Sequence, residues 1–222
     1  ALLFIPFDKD GAAPIIDNCN EAGIPVICCN NITTNVDQAT AYVGANDVEA
    51  GIMETEYIVD LIGGKGNIAV VEGPFGHSAQ VARQEGLEQV LAGYPDCKIV
   101  LDDTANWNRD EAMELVENWI AGGTQIDAII CHNDIMAMGA LQACQDAGLE
   151  IPIIGIDATY DALCAVKDGT LAADVYQDVY GQAEEAFNVC MRILNGETFE
   201  QTTYVPFKLI TKDNVDEYLA NF

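Results

Sequence analysis

Polar and aromatic side chains gather at five points where an apolar, Val- and Ile-rich run of this 222-residue sequence gives way to a helical pattern. They are Asn30 with Asn31, His77 followed by Arg83, Trp107, Asn133 with Asp134, and Asp157. In a doubly wound sheet the carboxyl ends of parallel strands line one rim, and ligands bind there. Amides, a guanidinium, a carboxylate and an indole on such a rim suit a small, neutral, hydroxyl-rich molecule. An amide both donates and accepts, as a hydroxyl requires, and a planar guanidinium reaches two oxygens together. A carboxylate takes hydroxyl protons through charge-assisted bonds, and an indole face meets the C–H side of a ring. No obvious nucleophile stands among them.

Several chemistries drop out by inspection. The chain has no GxxxxGK[ST] phosphate loop, no GxSxG elbow and no HExxH pair. GGKG after Ile62 joins a helix to a strand, the wrong end for holding phosphate. Two histidines leave little general-base capacity. Glycoside hydrolysis by Asp134 and Asp157 stays open, because it needs a carboxyl pair near strand ends. Asp134 is the more natural helix cap. Consecutive strand residues point to opposite faces, so Cys131, His132, Asn133 and Asp134 do not converge on a metal. Trp119, on an inner helix face, reads as core, and Asn30 and Asn31 also suit a plain turn.

The elements that position these residues follow from the pattern. Apolar runs (LLFIP, PVICC, NIAVVEG, KIVLDD, AIIC, IIGID, LAADVYQD) alternate with helical segments near 12–22, 48–62, 78–91, 109–121, 136–147 and 182–194, and a short one ending near Lys167. Val81, Leu87, Val90 and Leu91 form the expected inner side of the helix over 78–91. Alternation with short connections implies an α/β fold with parallel sheets covered by helices on both faces. Glycines at 23, 93, 122–123 and 148 punctuate helix ends.

Composition narrows the partners. Thirty-six acidic against nine basic residues give a net charge of −27, which repels nucleic acid and anionic membranes. No run reaches the roughly 18 apolar residues of a membrane span, and ALLFIPFDKDG has no basic segment of a secretory signal. The eight cysteines form no CxxC pair and sit mostly in apolar runs, where thiols act as small hydrophobes. Such thiols suit a reducing cytoplasm or the surface of an anaerobe.

Four strings, EGPFGHSAQVARQEGL, DTANWNRDEA, CHNDIMAMGAL and IPIIGIDATYDALCAVKDGTLAADVYQD, in this order and spacing carry a resemblance. They resemble bacterial extracytoplasmic sugar-binding proteins of the ribose and galactose class, the receptor subunits of ABC-type importers. ALLFIPFDKDGAAPIIDNCNEAGIPVICCNN is similar to that family's third strand, third helix and fourth strand. The resemblance implies a two-lobed type I periplasmic-binding-protein fold with a first lobe that is incomplete. The lobes would hold residues 1–46 with 179–205, and 47–178 with 206–222, hinged near Asn46-Asp47, Gln177-Asp178 and Pro206. It implies a monosaccharide, hexose or pentose, held between lobes that close on it and are then met by a membrane permease. It implies no catalysis, no cofactor, no metal and no nucleic acid, and an extracytoplasmic place, in the periplasm or lipid-anchored at the outer face of the cell membrane. A sugar-responsive effector domain of a sensor or repressor is the alternative.

The positions carried over as ligand-binding are Asn30, Asn31, His77, Arg83, Trp107, Asn133, Asp157 and Gln177. Asn30, His77 and Trp107 are similar to the glucose/galactose type, and Gln177 to the ribose type. Ala79 replaces an aspartate of the former, and LIGGKG replaces its calcium loop, so no structural calcium is expected. The family opens with two further βα units, on the order of 60 residues. Without them LLFIP becomes an edge that is apolar on both faces, expected to self-associate with a second copy unless the chain is a piece of a longer one. Five of the decorated positions would then form one nearly complete wall, opposed by a sparser first lobe.

Overall fold

The computed structural model describes every residue except Asn221. In chain order the elements are β1 (Leu2–Phe4), α1 (Ala13–Glu21), β2 (Val26–Cys29), β3 (Ala41–Gly44), α2 (Asp47–Leu61) and β4 (Gly66–Glu72). Next come α3 (Ser78–Leu91), β5 (Cys97–Thr104), α4 (Arg109–Ala121), β6 (Ala128–Cys131), α5 (Asp134–Asp146) and β7 (Ile153–Ile156). The chain continues through α6 (Tyr160–Asp168), β8 (Ala173–Tyr176), α7 (Val179–Asn195), β9 (Thr202–Tyr204), β10 (Lys208–Ile210) and α8 (Val215–Leu219). These fall into two compact units: Ala1–Asn46, Gly76–Ala79 and Asp178–Phe207; and Asp47–Phe75, Gln80–Gln177 and Lys208–Phe222. The loop Gly76–Ala79 groups with the first unit, whereas the expected split puts it whole in the second.

The first unit is a parallel sheet in the order β1-β2-β3-β9. Alternation along β2 and β3 sends Val26, Cys28 and Tyr42 against Ile16 and Cys19 of α1. Ile27, Ala41 and Val43 meet Ala186, Val189 and Cys190 of α7 on the other face. β3 is not among the expected apolar runs, because AYVG carries a single branched aliphatic residue and follows a polar stretch. β1 lies at the sheet's edge, and Ile5 and Phe7 beyond it are exposed.

The second unit has the order β10-β8-β7-β6-β4-β5. All pairs are parallel except β10 with β8, a departure from the all-parallel expectation. Ala69, Val71, Ile129, Cys131 and Ile153 face α4 and α5, with Trp119 packed against the same core as expected. α2 runs against β6, β7 and β8. Helix ends use the expected glycines: Gly148 sits at φ 68°, and Leu149 N–H returns to Cys144 O at 2.9 Å.

α3 packs on Leu87, with Val90 and Leu91 half-buried as expected, but the buried face runs on through polar residues and leaves Val81 outside. Val81 is exposed, while Gln80, Arg83 and Leu87 are buried. The cause is backbone contact with α2. A Cβ on Gly51 would meet Arg83 O at 2.1 Å, and one on Gly86 would meet Val48 O at 2.2 Å. That close approach rolls α3 so that Arg83 points into the unit. All eight cysteines are free thiols. Among the described residues no helix is long and apolar enough to cross a membrane.

Candidate functional site

In the second unit the chain starts at β4, steps outward to β5, then crosses back to β6 on the other side of β4. The carboxyl ends of β4 and β6 therefore flank a topological switch point, where the two connections diverge and leave a crevice. Arg83 and Trp107 meet there, and Asn133 follows directly after His132, whose carbonyl Arg83 holds.

Arg83 is almost wholly buried. Its Nε donates to Asp47 Oδ1 at 2.9 Å, Nη2 lies 2.8 Å from the same oxygen, and Nη1 donates to His132 O. Burial works against the charge, but Asp47, Asp157 and Glu54 more than offset it, so the guanidinium is held ionised. It also stands 5.8 Å from the centre of the Trp107 ring, within cation–π range. Anchored this way, the guanidinium is a fixed fork of donors rather than a searching side chain.

Trp107 has φ 59° and Asn106 φ 53°, left-handed backbone that turns the indole back over β4. Thr104 Oγ1 accepts from Asn106 N–H at 3.1 Å and donates to Gly73 O at 2.8 Å, tying the turn to β4. The ring lies against Gly73, where a Cβ would come within 2.1 Å of Cζ2. Asn108 caps α4 by accepting from Asp110 and Glu111 N–H.

Asn133, not Asp134, caps α5: its Oδ1 accepts from Met136 N–H at 3.0 Å, leaving Nδ2 as its donor group. Asp134 is a first-turn residue, fully buried, whose Oδ2 accepts from Thr159 N–H at 2.7 Å. Asp134 is thus unable to meet a substrate, which removes the carboxyl pair that glycoside hydrolysis would need. Asp157 follows β7 at φ 128°, partly exposed, with N–H on Val175 O. Burial pushes its carboxyl up to about 6, and Arg83 opposes the rise. Gln177, buried, directly follows β8.

The first unit holds the remaining predicted positions. Asn30 has φ 59°, and its carbonyl accepts from Tyr42 Oη at 2.6 Å. Asn31 Nδ2 donates to Pro6 O at 2.9 Å and lies 3.5 Å from His77 Nε2. His77 Nδ1 accepts from Ala79 N–H at 3.2 Å, and Phe7 meets the ring edge-on at 5.9 Å. Asn31 and His77 are therefore neighbours.

Pattern reading missed Asp47, His132 and Glu54. Asp47 aims Arg83, and its place at the start of a helix resembles an ordinary cap. His132 is fully buried and neutral, its pKa lowered to about 3 by burial and by Arg83. Glu54 is also fully buried, and burial raises its pKa well above the usual range. Only their burial marks them out, and the sequence does not display it. Among the described residues no group of three His, Cys, Asp or Glu is placed to hold a metal ion.

Residues 1–198 match the periplasmic binding protein domain family. A xylitol-binding protein of Mycolicibacterium smegmatis is 39% identical over 97% of the chain, which spans 62% of that relative's length. A putative rhizopine-binding protein of Rhizobium meliloti is 36% identical, over 98% of the chain and 73% of its own. An ABC transporter solute binding protein from Bacillus halodurans, solved with bound myo-inositol, superposes with TM-score 0.96 at 40% identity, over 100% of this chain and 78% of that one.

Proposed function

The chain belongs to the periplasmic binding protein family, and from that premise we propose that it binds a small polyhydroxylated molecule, a cyclic or open-chain polyol or a monosaccharide, for delivery to an ABC-type importer outside the cytoplasm. One observation carries the proposal: at the switch point of the second unit a buried, charge-neutralised guanidinium stands within cation–π range of an indole and bonds the carbonyl next to Asn133, with the Asp157 carboxylate bearing on the guanidinium. Trp107 stacks on the C–H face of the ligand while Arg83 and Asn133 Nδ2 donate to its oxygens. Asp157 accepts hydroxyl protons, and Gln177 pairs with a further hydroxyl. Asn30, Asn31 and His77 are the candidate ligand partners within the first unit. The relatives' named ligands, xylitol, a rhizopine and myo-inositol, widen the expected class from monosaccharides to polyols.

The protein does no chemistry on its ligand in this reading, and a chromogenic glycoside should pass through unhydrolysed. The deciding experiment is a thermal-shift screen with myo-inositol, xylitol, ribose, glucose and galactose. Binding to the folded state alone raises the melting temperature. A rise with at least one of them is expected, and no response across the whole panel would sink the proposal.

A further inference from the structure

We propose that Asp134 and Asp174 share one proton and, as a pair, position Asp157 by holding the two backbone amides that follow it. The inference rests on the reading of Asp157 as a ligand-binding residue. Both carboxyls are fully buried, Asp134 in the first turn of α5 and Asp174 in β8. Asp174 Oδ1 accepts from Ala158 N–H at 3.2 Å, and Asp134 Oδ2 accepts from Thr159 N–H at 2.7 Å. Each carboxyl thus holds one of the two residues next after Asp157.

The other two oxygens, Asp134 Oδ1 and Asp174 Oδ2, meet no protein donor. The carboxyls instead bear on one another. Two acceptors bond only if one of them carries hydrogen, so the pair is stable with a proton between its members. Gly155, which faces Asp174 across the β7–β8 ladder, makes the approach feasible: a Cβ there would stand 2.5 Å from Asp134 Oδ1. Burial, then the charges of Asp174 and Asp157, pushes the Asp134 carboxyl well up. Burial pushes Asp174 up to about 7, although the bond from Asp134 pulls the other way.

The segment that they hold needs holding. Asp157 at φ 128° and Ala158 at φ 57° occupy backbone regions that side-chain-bearing residues adopt only when their surroundings impose them. The neighbouring titratable groups are few. Asp157 faces both carboxyls, and Arg83 and Asp47 face Asp157. Glu54 of α2 faces Arg83 and Cys131, and the Cys131 thiol of β6 faces Asp134. Arg109 of α4 with Tyr160 and Asp161 of α6 line a depression shared with Asp134 and Thr159. Across β10 the register partner of Asp174 is the apolar Ile210.

Asp174→Asn tests the pair directly, because its amide can accept from Ala158 and donate to Asp134 without a titrating proton. Two readouts are needed: amide hydrogen exchange at Ala158 and Thr159 without ligand, and calorimetric affinity for myo-inositol. Asp174→Asn should keep both within about threefold of the parent, while Asp174→Ala should lose about tenfold in each, since it leaves a buried donor unpaired. Raising the pH should weaken both in the parent, as two bare carboxylates come to face each other, and leave Asp174→Asn much flatter. Asp157→Ala should weaken binding with the amides still protected. The proposal is overturned if Asp174→Ala leaves the Ala158 amide protected, or if Asp174→Asn follows the parent's pH profile. Should Asp174→Ala not fold, the comparison of the parent with Asp174→Asn decides. Failure of the parent to bind myo-inositol or any polyol counts against the functional reading alone, because the exchange measurement needs no ligand.

Discussion

A methyl group on Gly73 would stand 2.1 Å from Cζ2 and 2.2 Å from Cη2 of Trp107, so the indole keeps its seat only because that position has no side chain. Gly73→Ala should push the ring off β4 and away from Arg83. Ring contacts are worth about 0.5–1.5 kcal/mol beyond area burial, so polyol affinity should fall up to about tenfold. Trp fluorescence should shift with it; unchanged affinity and emission would refute the seat. Asp157 makes a second prediction at this scale. Its carboxyl titrates near 6 and must be ionised to accept hydroxyl protons. Affinity should therefore hold at neutral pH and drop as pH falls through about 6, and Asp157→Asn should remove that acid limb in a calorimetric pH series. The candidate residues themselves were legible because Trp107, Asn133 and Asp157 stand where apolar runs stop. Arg83's anchors were not, since Asp47 is 36 positions away, and only the packed helices bring it near.

Helices α2 and α3 touch backbone to backbone through Gly51 and Gly86, and this contact aims Arg83. Overpacking such a contact costs about 1–3 kcal/mol, so Gly86→Ala should lower the unfolding free energy by that much in urea denaturation. It should also weaken ligand binding, because Arg83 moves with α3; a stable variant with full affinity would show that α3 tolerates the shift. The strands β4 to β8 were readable from Val- and Ile-rich runs bounded by turns, and the helices from periodicity and terminal glycines. Apolar count misled on α3, where Val81 was expected inside. Glycine carries no hydrophobic signal, yet two glycines determine which face packs. β9 and β10, three residues each, are too short to show an alternation, and their pairing depends on neighbours far away in the chain.

At the scale of the whole molecule, buried acids dominate the response to pH. Burial raises the folded-state pKa of Glu54 and Asp134 well above the ordinary range, of Glu72 to about 8, of Asp174 to about 7 and of Asp157 to about 6. In the unfolded chain the same groups titrate near 4. Between these values the folded state binds more protons than the unfolded one, so stability falls as pH rises. His132 runs the other way: lowered to about 3, it favours folding as pH climbs toward 6.5, the value it regains on unfolding. One histidine opposes five acids below 6.5, and nothing of its kind opposes them above it. The net charge of −27 adds self-repulsion in the same direction. Calorimetric melting temperatures should therefore be higher at about pH 5.5 than at about pH 8 by several degrees, given that 1 kcal/mol moves a domain of this size about 2–4 °C. Glu72→Gln should flatten the upper part of that slope, since the amide keeps the neutral form's shape without the proton. A melting temperature that climbs from pH 5.5 to pH 8 would mean that these carboxyls are ionised in the folded protein.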